Sequence, residues 1–172
     1  SLLNIEYGVP QGSILGPLLY LIYVNDINYS CNANILSFAD DTTLYVSNNN
    51  VKNLYEEANA EVNKLYEWFC SNGLSLNINK TKYMVIRPKN KVTNLNEFHL
   101  KIGNVYLSRV GNDCKERHIK FLGLLIDENL KWTHHIAYVN PKLSKSLFFM
   151  SQLKHLFNTY CLRMLYFAFI FP

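Results

Sequence analysis

The first 51 residues of this 172-residue chain contain no lysine or arginine, and the last 44 contain no aspartate or glutamate. Fifteen of the seventeen basic residues follow residue 77, where only five of the thirteen acids lie. The first part can therefore gather cations at its carboxylates while the second part attracts phosphates, and that attraction should weaken as salt rises. Any one basic run is equally well explained as a solvated surface, so the charge pattern supports a function without deciding it.

Cysteine is scarce and unclustered. The four cysteines lie dozens of residues apart: Cys31, Cys70, Cys114 and Cys161. Because no Cys-x-x-Cys pair or Cys/His cluster is present, the spacing argues against a zinc site and suggests no disulfide framework. We therefore expect buried or incidental thiols in a reducing compartment.

Long apolar runs are also lacking. The longest, Leu18–Val24 and Met164–Phe171, are much shorter than a membrane-spanning helix of ~20 residues. No charged segment with a cleavage pattern opens the chain. We therefore expect an intracellular protein, in the cytoplasm and/or the nucleus, that is neither secreted nor membrane-bound. Its 49% hydrophobic and 14% aromatic residues suffice for the core of an ordinary domain.

What the chain does contain is a pair of adjacent carboxylates between two apolar runs. Asp40 and Asp41 follow Ile35–Phe38 and precede Thr42–Val46. If the runs pair as antiparallel strands, both carboxylates lie at the tip of a stiff hairpin. That position suits a Mg²⁺ ion, which keeps waters and substrate phosphates among its ligands. The alternative is an ordinary turn, where Asp is common because it bonds its own backbone.

A loop rich in glycine and proline precedes this pair. The segment 8–16 contains three glycines, which let the backbone approach a ligand closely, and Gln11 offers both a donor and an acceptor. Pro17 then suits the first turn of a helix that we expect to end at Ile27. Such loops are ordinary, but the order and distance of this one relative to the Asp pair are not.

Together these motifs resemble the reverse transcriptases of non-LTR retrotransposons, most of all the jockey-type elements of animals. Four blocks in the family's order carry the resemblance: Gly8–Leu19, Phe38–Asp41, Asn72–Asn77 with Lys80–Lys82, and Phe121–Asp127 with Trp132 and His135. The resemblance implies an α+β fold. Residues 1–130 would form most of a palm, with a palm-type antiparallel sheet and packed helices, and residues 131–172 would begin a helical thumb.

The resemblance also implies a mechanism. Asp40 and Asp41 would be the catalytic pair, binding two Mg²⁺ ions, with Mn²⁺ as an alternative ion. The ions would activate the primer 3′-hydroxyl and neutralise the nucleotide phosphates during in-line displacement. The implied partners are an RNA template, a DNA primer and dNTPs.

Further residues take roles by the same resemblance. The pocket for nucleotide and template is assigned to Pro10, Gln11, Gly12 and Phe38. Lys80 would reach the leaving pyrophosphate, although an exposed turn lysine is the commoner explanation. Phe121, Leu122 and Gly123 would support the primer end, against the alternative that Phe121 and Leu122 are core residues. His134 and His135 are adjacent and are expected to cap or pack rather than to share a metal.

One part of the family pattern has no match. Reverse transcriptases need a further aspartate from a strand before the Gly8 loop, only seven residues precede Gly8, and Glu6 lies too close to the loop. The fingers are also unmatched. We therefore expect this fragment alone not to polymerise without the N-terminal palm and fingers segment of a parent polyprotein. The alternatives are a degenerate nucleic-acid-binding remnant and another palm-type two-metal polymerase or nuclease.

Periodicity and turn residues predict the remaining elements. The first are a catalytic hairpin over 35–47 and an N-cap within Asn48–Asn50. A helix follows, with Gly73 as its stop and with five apolar residues on one face: Leu54, Ala58, Val62, Leu65 and Phe69. Next come a strand-turn-strand over 74–86, with Lys80 and Lys82 at the turn, and a hairpin over 100–107. A loop over 108–118, one strand over Ile119–Ile126, a helix opened by Pro141 and ending at Leu153, and a helix over Thr159–Phe171 follow. The Glu-rich face of the long helix is expected to face solvent.

Overall fold

The computed structural model describes residues 12–88, 95 and 99–171, in which helices and short strands mix. The helices are α1 (Gly16–Tyr23), α2 (Val51–Ser71), α3 (Thr133–Leu153) and α4 (Thr159–Phe169), with a 3₁₀ turn over Ile27–Tyr29. The strands are β1 (Asn34–Phe38), β2 (Asp41–Tyr45), β3 (Lys82–Met84), β4 (Lys101–Ile102), β5 (Val105–Tyr106), β6 (Ser108–Val110), β7 (Ile119–Phe121) and β8 (Leu124–Ile126). The predicted α+β class is confirmed, and the palm-type arrangement of the sheet stays a prediction.

The chain divides into two compact units. The first comprises residues 1–81 and 94–108, and the second comprises residues 82–93 and 109–172. Both α1 and α2 belong to the first unit, whereas α3 and α4 belong to the second. The predicted boundary between palm and thumb after residue 130 is a separate matter and stays a prediction.

Within the described residues, the strands pair two by two. The sheets are β1–β2, β3–β6, β4–β5 and β7–β8. Three of the four are antiparallel hairpins between sequence neighbours: β1–β2, β4–β5 and β7–β8. The hairpins predicted over 35–47 and 100–107 are therefore confirmed.

Helix α2 begins and ends as its sequence predicts. The side chain of Asn50 accepts hydrogen bonds from the backbone N–H groups of Lys52 and Asn53, at 2.8 and 3.4 Å, which makes it the N-cap. At the other end Gly73 has a φ of +65°. Its N–H donates to the carbonyl of Cys70, and the next N–H, of Leu74, donates to the carbonyl of Phe69. This pair of bonds is the Schellman motif, in which a left-handed residue ends the helix.

Two asparagines on α2 hold the β4–β5 hairpin. Asn59 Oδ1 accepts from the backbone N–H of Lys101 at 3.0 Å. Asn63 Nδ2 donates to the Lys101 carbonyl at 3.1 Å, and Asn63 Oδ1 accepts from the N–H of Gly103 at 3.2 Å. The two side-chain amides thus bond the backbone N–H and C=O groups of β4 and its turn that a neighbouring strand would otherwise bond.

The core of the first unit forms where these elements meet. Its buried apolar residues are Val24, Ile27, Cys31, Phe69, Leu95, Ile102 and Leu107. In the second unit Val110 is 1% exposed, whereas α3 and α4 contain no buried residue. No helix in the described ranges is both long and apolar enough to cross a bilayer.

The predicted end of the first helix is wrong. Helix α1 stops at Tyr23 instead of continuing to Ile27. Asn25 and Asp26 follow, and such residues favour turns because their side chains compete for backbone hydrogen bonds. Pro17 does lie in the first turn, as predicted.

The strand-turn-strand predicted over 74–86 is confirmed in its turn at Lys80 and in its second strand, β3, but its first strand is wrong. The described residues 74–81 contain no strand; the carbonyl of Asn77 instead accepts from the N–H groups of Lys80 and Thr81, both at 3.1 Å. Lys82 lies in β3 rather than in the turn, and β3 pairs with β6 from the segment predicted to be a loop. The backbone groups of this turn bond to one another, and β3 pairs with β6 instead of with residues 74–78.

Two further predictions in the second unit need correction. The segment Ile119–Ile126 is a hairpin rather than one strand, because Leu122 and Gly123 both have positive φ, +44° and +89°, as in a type I′ turn. Pro141 lies inside α3 and does not open it. It removes one helical hydrogen bond at an exposed position, and the contacts of α3 with β8 and α4 support the helix on both sides.

Replacing Gly73 with alanine should destabilise the first unit by about 1–2 kcal/mol, because an L-residue is strained in the left-handed region. We would measure urea unfolding by the fluorescence of Trp68, which lies on α2, in a Trp132→Phe background. Ser71→Ala, at an exposed position in the last turn of the same helix, is the control and should be neutral or stabilising. Equal effects of the two changes would contradict the Schellman assignment.

Candidate metal and nucleotide site

The β1–β2 hairpin places the two carboxylates at its tip. Register pairs Phe38 with Asp41, so Ala39 and Asp40 form the two-residue turn. Paired residues share a face of a hairpin, and Asp41 therefore projects from the same face as Phe38. Ala39 has a φ of +51°, at the position where a type II′ turn favours glycine. The turn that carries Asp40 is thus strained, a feature that clusters at functional sites.

One face of this hairpin packs and the other is open. Ile35 and Leu44 are paired on the half-buried face. On the opposite face Phe38 is 62% exposed, and Asp40 and Asp41 are exposed as well. The carboxylates are therefore accessible to ions and to a large polar ligand, while the opposite face of their strands is half-buried.

The donor set suits a hard divalent ion that keeps most of its own ligands. Two carboxylates on adjacent residues can provide one or two oxygens, and water and phosphate oxygens can complete the octahedron of Mg²⁺. Elsewhere the described part of the chain holds no group of three His, Cys, Asp or Glu side chains that could bind a metal. The Asp40–Asp41 pair thus fits an open site and not a closed protein cage.

Two of the other residues predicted for the nucleotide pocket, Gly12 and Lys80, lie within the described part of the chain. Pro10 and Gln11 fall outside the described residues. Gly12 has a φ of +82°, and within the described part of the chain no atom lies within 4 Å of the position that a Cβ would take there. Lys80 is exposed in the turn after α2 and, among the described residues, makes no ion pair with either hairpin carboxylate. The role of Lys80 therefore stays a prediction.

The predicted primer-support residues occupy the tip of the β7–β8 hairpin, in the second unit. Phe121 ends β7 and pairs with Leu124, while Leu122 and Gly123 make the turn. Leu122 is 49% exposed, so it is not a core residue, and a leucine with positive φ is unfavourable at that position. The motif thus presents a turn, with an apolar side chain at its tip.

The two adjacent histidines pack, as predicted. His135 Nδ1 accepts a hydrogen bond from the backbone N–H of Leu125 at 3.3 Å, which fixes its other ring nitrogen, Nε2, as the one that carries hydrogen. His134 stacks on His118 with ring centroids 4.9 Å apart. All four cysteines are free thiols, of which Cys31 is buried and Cys70 exposed.

Sequence reasoning missed Glu61, which does not face solvent with the other glutamates of α2. Its residue is only 6% exposed. Oε2 accepts from the backbone N–H of Asn32, and Oε1 accepts from Lys64 Nζ, each at 2.6 Å. Asn32 lies two residues before β1, so this carboxylate anchors the segment that leads into the β1–β2 hairpin. The spacing of Ala58, Glu61 and Leu65 could have revealed it, because it puts Glu61 within the apolar stripe.

The environment of Glu61 favours its charged form. The hydrogen bond from Lys64 lowers its pKa, burial opposes that effect, and the N–H of Asn32 lowers the pKa further. A carboxyl with a lowered pKa in the folded state contributes stability at pH values above its unfolded pKa. That contribution is lost as pH falls through the folded pKa.

Glu61→Ala should destabilise the first unit by about 1–3 kcal/mol, because it leaves a backbone donor without its acceptor. Glu61→Gln keeps an acceptor for Asn32 and loses only the pair with half-exposed Lys64, so its cost should be below about 1 kcal/mol. Urea unfolding followed at Trp68 would measure both, with Glu67→Gln on the exposed face of α2 as the control. The penalty for Glu61→Ala should shrink as pH falls below about 4.3, the usual pKa of glutamate. A pH-independent penalty would contradict the ionic anchor.

Leu122→Asn should stabilise the second unit by about 0.5–1 kcal/mol, because asparagine tolerates the left-handed region better than leucine does. Unfolding followed at Trp132 in a Trp68→Phe background is the measurement. Leu124→Asn, at a 41% exposed strand position of the same hairpin, should instead be neutral or destabilising. A loss of stability from Leu122→Asn would contradict the assigned turn.

Comparison with known proteins identifies the family of the chain and leaves the roles of the individual residues as predictions. A family model described as reverse transcriptase (RNA-dependent DNA polymerase) matches residues 2–126. The chain is 26% identical over 143 residues to a retrovirus-related Pol polyprotein from the type-1 retrotransposable element R1 2 of Nasonia vitripennis, covering 81% of this chain and 34% of that protein. It is 24% identical over 145 residues to a probable RNA-directed DNA polymerase from the transposon X-element of Drosophila melanogaster, covering 81% of this chain and 15% of that protein.

A further relative is the Pol polyprotein from element R1 of Nasonia vitripennis, 24% identical over 139 residues, with 79% of this chain and 40% of that protein covered. The chain thus spans well under half the length of these curated relatives. No solved structure matches it. The jockey-type assignment stays a prediction. Because the family model covers most of the chain, the protein belongs to the reverse transcriptase family, and its resemblance to the enzymes of non-LTR retrotransposons is confirmed.

Proposed function

We propose that this chain is the part of a non-LTR retrotransposon reverse transcriptase that carries the metal-binding carboxylates. The observation that supports it most is the exposed Asp40–Asp41 pair at the tip of an anchored hairpin, within a chain of this family. In this proposal residues 1–130 form most of the palm and residues 131–172 begin the thumb. The partners are an RNA template, a DNA primer and dNTPs, in the cytoplasm and/or the nucleus.

In this proposal the residues at the hairpin tip have two roles, binding the metal ions and contacting the nucleotide. Two bound Mg²⁺ ions, or Mn²⁺ in their place, supply the charge that activates a primer 3′-hydroxyl and neutralises nucleotide phosphates. Asp40 and Asp41 hold that charge at the tip, and the strand pairing keeps Asp41 in a fixed direction. Phe38 projects beside Asp41 and offers an apolar surface to the nucleotide. Gly12, whose φ of +82° favours glycine, lets the backbone of its loop approach the ligand closely.

A second candidate function is nucleic-acid binding without catalysis. The excess of lysine and arginine after residue 77 favours it, since phosphate contacts need no metal. The two candidates differ in their dependence on the carboxylates. Binding of RNA that is salt-sensitive and unchanged by Asp40→Ala, in a protein that shows no metal-dependent synthesis, would favour the second.

Asp40→Asn and Asp41→Asn should each weaken binding of a divalent ion at the hairpin, because each removes an anionic oxygen ligand. Mn²⁺ titration of the chain, followed by paramagnetic broadening of the backbone NMR signals of residues 39–42, is the measurement. Wild-type protein should show saturable broadening there. Asp26→Asn makes the same change at an exposed position whose side chain caps nothing, and it should behave as wild type. Equal broadening in all four proteins would refute the metal site.

The consequence for synthesis is tested in a longer polymerase that includes this segment. There Asp40→Asn should reduce Mg²⁺-dependent primer extension by roughly a thousandfold, as expected from losing several kcal/mol of transition-state stabilisation. Asp26→Asn should leave extension unchanged. Full extension by the Asp40→Asn protein would exclude the proposed catalytic role.

A further inference from the structure

The hydroxyl of Tyr23 joins two helices of the first unit at their C-terminal ends. Tyr23 is the last residue of α1, and its hydroxyl donates a hydrogen bond to the backbone carbonyl of Asn72, the C-cap of α2. The last carbonyls of a helix have no partner within the helix, and the tyrosine supplies one of the missing donors. In the described ranges, no other side-chain hydrogen bond joins α1 to another helix or strand.

Packing holds α1 only weakly along the rest of its length. Gly16 is its one buried residue, and its large apolar side chains are exposed: Leu18, Leu19, Leu21 and Ile22. The backbone on either side of the hydrogen bond is better fixed. Val24, directly after Tyr23, and Phe69, three residues before Asn72, both belong to the core of the first unit. The hydrogen bond therefore forms beside the core, and α1 extends from that point.

The opposite end of α1 continues into the loop predicted to contact the nucleotide. Ser13 Oγ accepts from the backbone N–H of Gly16 at 3.0 Å, so the residue after Gly12 is bonded to the start of the helix. At 1.5 Å per residue, Gly16 lies about 10 Å from Tyr23 along the helix axis. A tilt of about 10° at the C-terminal end of such a helix would displace the loop by about 2 Å.

The carbonyl that Tyr23 bonds lies just before the segment that presents Lys80. Gly73 ends α2, and Lys80 follows Asn72 by eight residues. The turn between them is closed locally, because Asn77 Oδ1 accepts from the N–H of Lys80 at 3.2 Å, in addition to the bonds that the Asn77 carbonyl makes. The placement of Lys80 is therefore set by the end of α2, to which Tyr23 is bonded.

The same helix also holds the hairpin that carries the two catalytic aspartates. That contact is the one between Glu61 and the backbone N–H of Asn32, at 2.6 Å. Helix α2 thus supports the aspartate hairpin through Glu61, the Lys80 turn through its own C-terminal end, and the Gly12 loop through Tyr23 and α1.

We propose that Tyr23 is a positioning residue for the incoming nucleotide. Through the Asn72 carbonyl, its hydroxyl fixes the Gly12 loop, assigned to the nucleotide and templating base, relative to Lys80, assigned to the leaving pyrophosphate. The tyrosine itself contacts neither substrate nor metal. The inference rests on the proposed function for the nucleotide, whereas the link between the two helices does not depend on it.

The kinetic test uses a longer polymerase that includes this segment. Tyr23→Phe removes one hydroxyl and keeps the ring. It should raise KM for dNTP about fivefold, the effect of one hydrogen bond, and change kcat by less than twofold. Nucleotide binding then has to order α1 at the expense of affinity, after which the reacting atoms are arranged as before. Affinity for the primer–template, measured by fluorescence anisotropy, should stay within twofold of wild type.

The matched control is Tyr29→Phe, which removes the same hydroxyl at a position that is 89% exposed. It should behave as wild type. A wild-type KM in the Tyr23→Phe enzyme would refute the positioning role, and so would an equal loss of kcat and of primer–template affinity, which a general loss of folded protein produces. Failure of the proposed function gives a different result, since extension would then survive Asp40→Asn.

Hydrogen exchange of the chain alone tests the link between the helices without any catalysis. In Tyr23→Phe the amide hydrogens of residues 19–24 should exchange at least fivefold faster, because α1 has lost its hydrogen bond to α2. Those of residues 55–68 should exchange at wild-type rates, since α2 keeps its own caps. Tyr29→Phe should change neither set. Unchanged exchange in α1, or faster exchange throughout α2 as well, would contradict the inference.

Discussion

The buried carboxylate of Glu61 is the contact on which the candidate site depends. It joins a long, well-capped helix to the segment that enters β1, and the hairpin built on that segment carries both aspartates. An antiparallel hairpin alone is marginally stable. Attachment at its base, together with the half-buried face of Ile35 and Leu44, gives the exposed tip a fixed support. Stability is therefore concentrated at the base of the hairpin, and the tip is left free for a ligand.

Charge is organised differently in the two units. In the first unit the buried carboxylate of Glu61 pairs with half-exposed Lys64, and the hairpin carboxylates are left exposed. In the second unit the acids are consumed by ion pairs and by a backbone turn, which leaves basic side chains on α3 in excess. Phosphate chemistry needs both: a place for cations and a place for the backbone of the strand.

Sequence reasoning succeeded where the signal is local. Asn50 as a cap, Gly73 as a stop and the hairpin around Asp40 each depend on a few neighbouring residues. It failed where the outcome depends on distant or competing contacts. The pairing of β3 with β6 joins segments about 25 residues apart, and Pro141 is tolerated because tertiary contacts hold α3 on both sides. Glu61 was predicted to face solvent because it is charged, although its spacing from Ala58 and Leu65 places it within the apolar stripe of α2.

Alanine rather than glycine at position 39 has a consequence for how Asp40 meets a cation. Glycine would relieve the strain of the left-handed backbone, and it would also let the turn sample many more conformations. With alanine the hairpin gives up some stability and gains a narrower distribution of carboxylate positions. When an ion binds at the tip, the carboxylates then lose less conformational entropy, because folding has already restricted the turn that carries them.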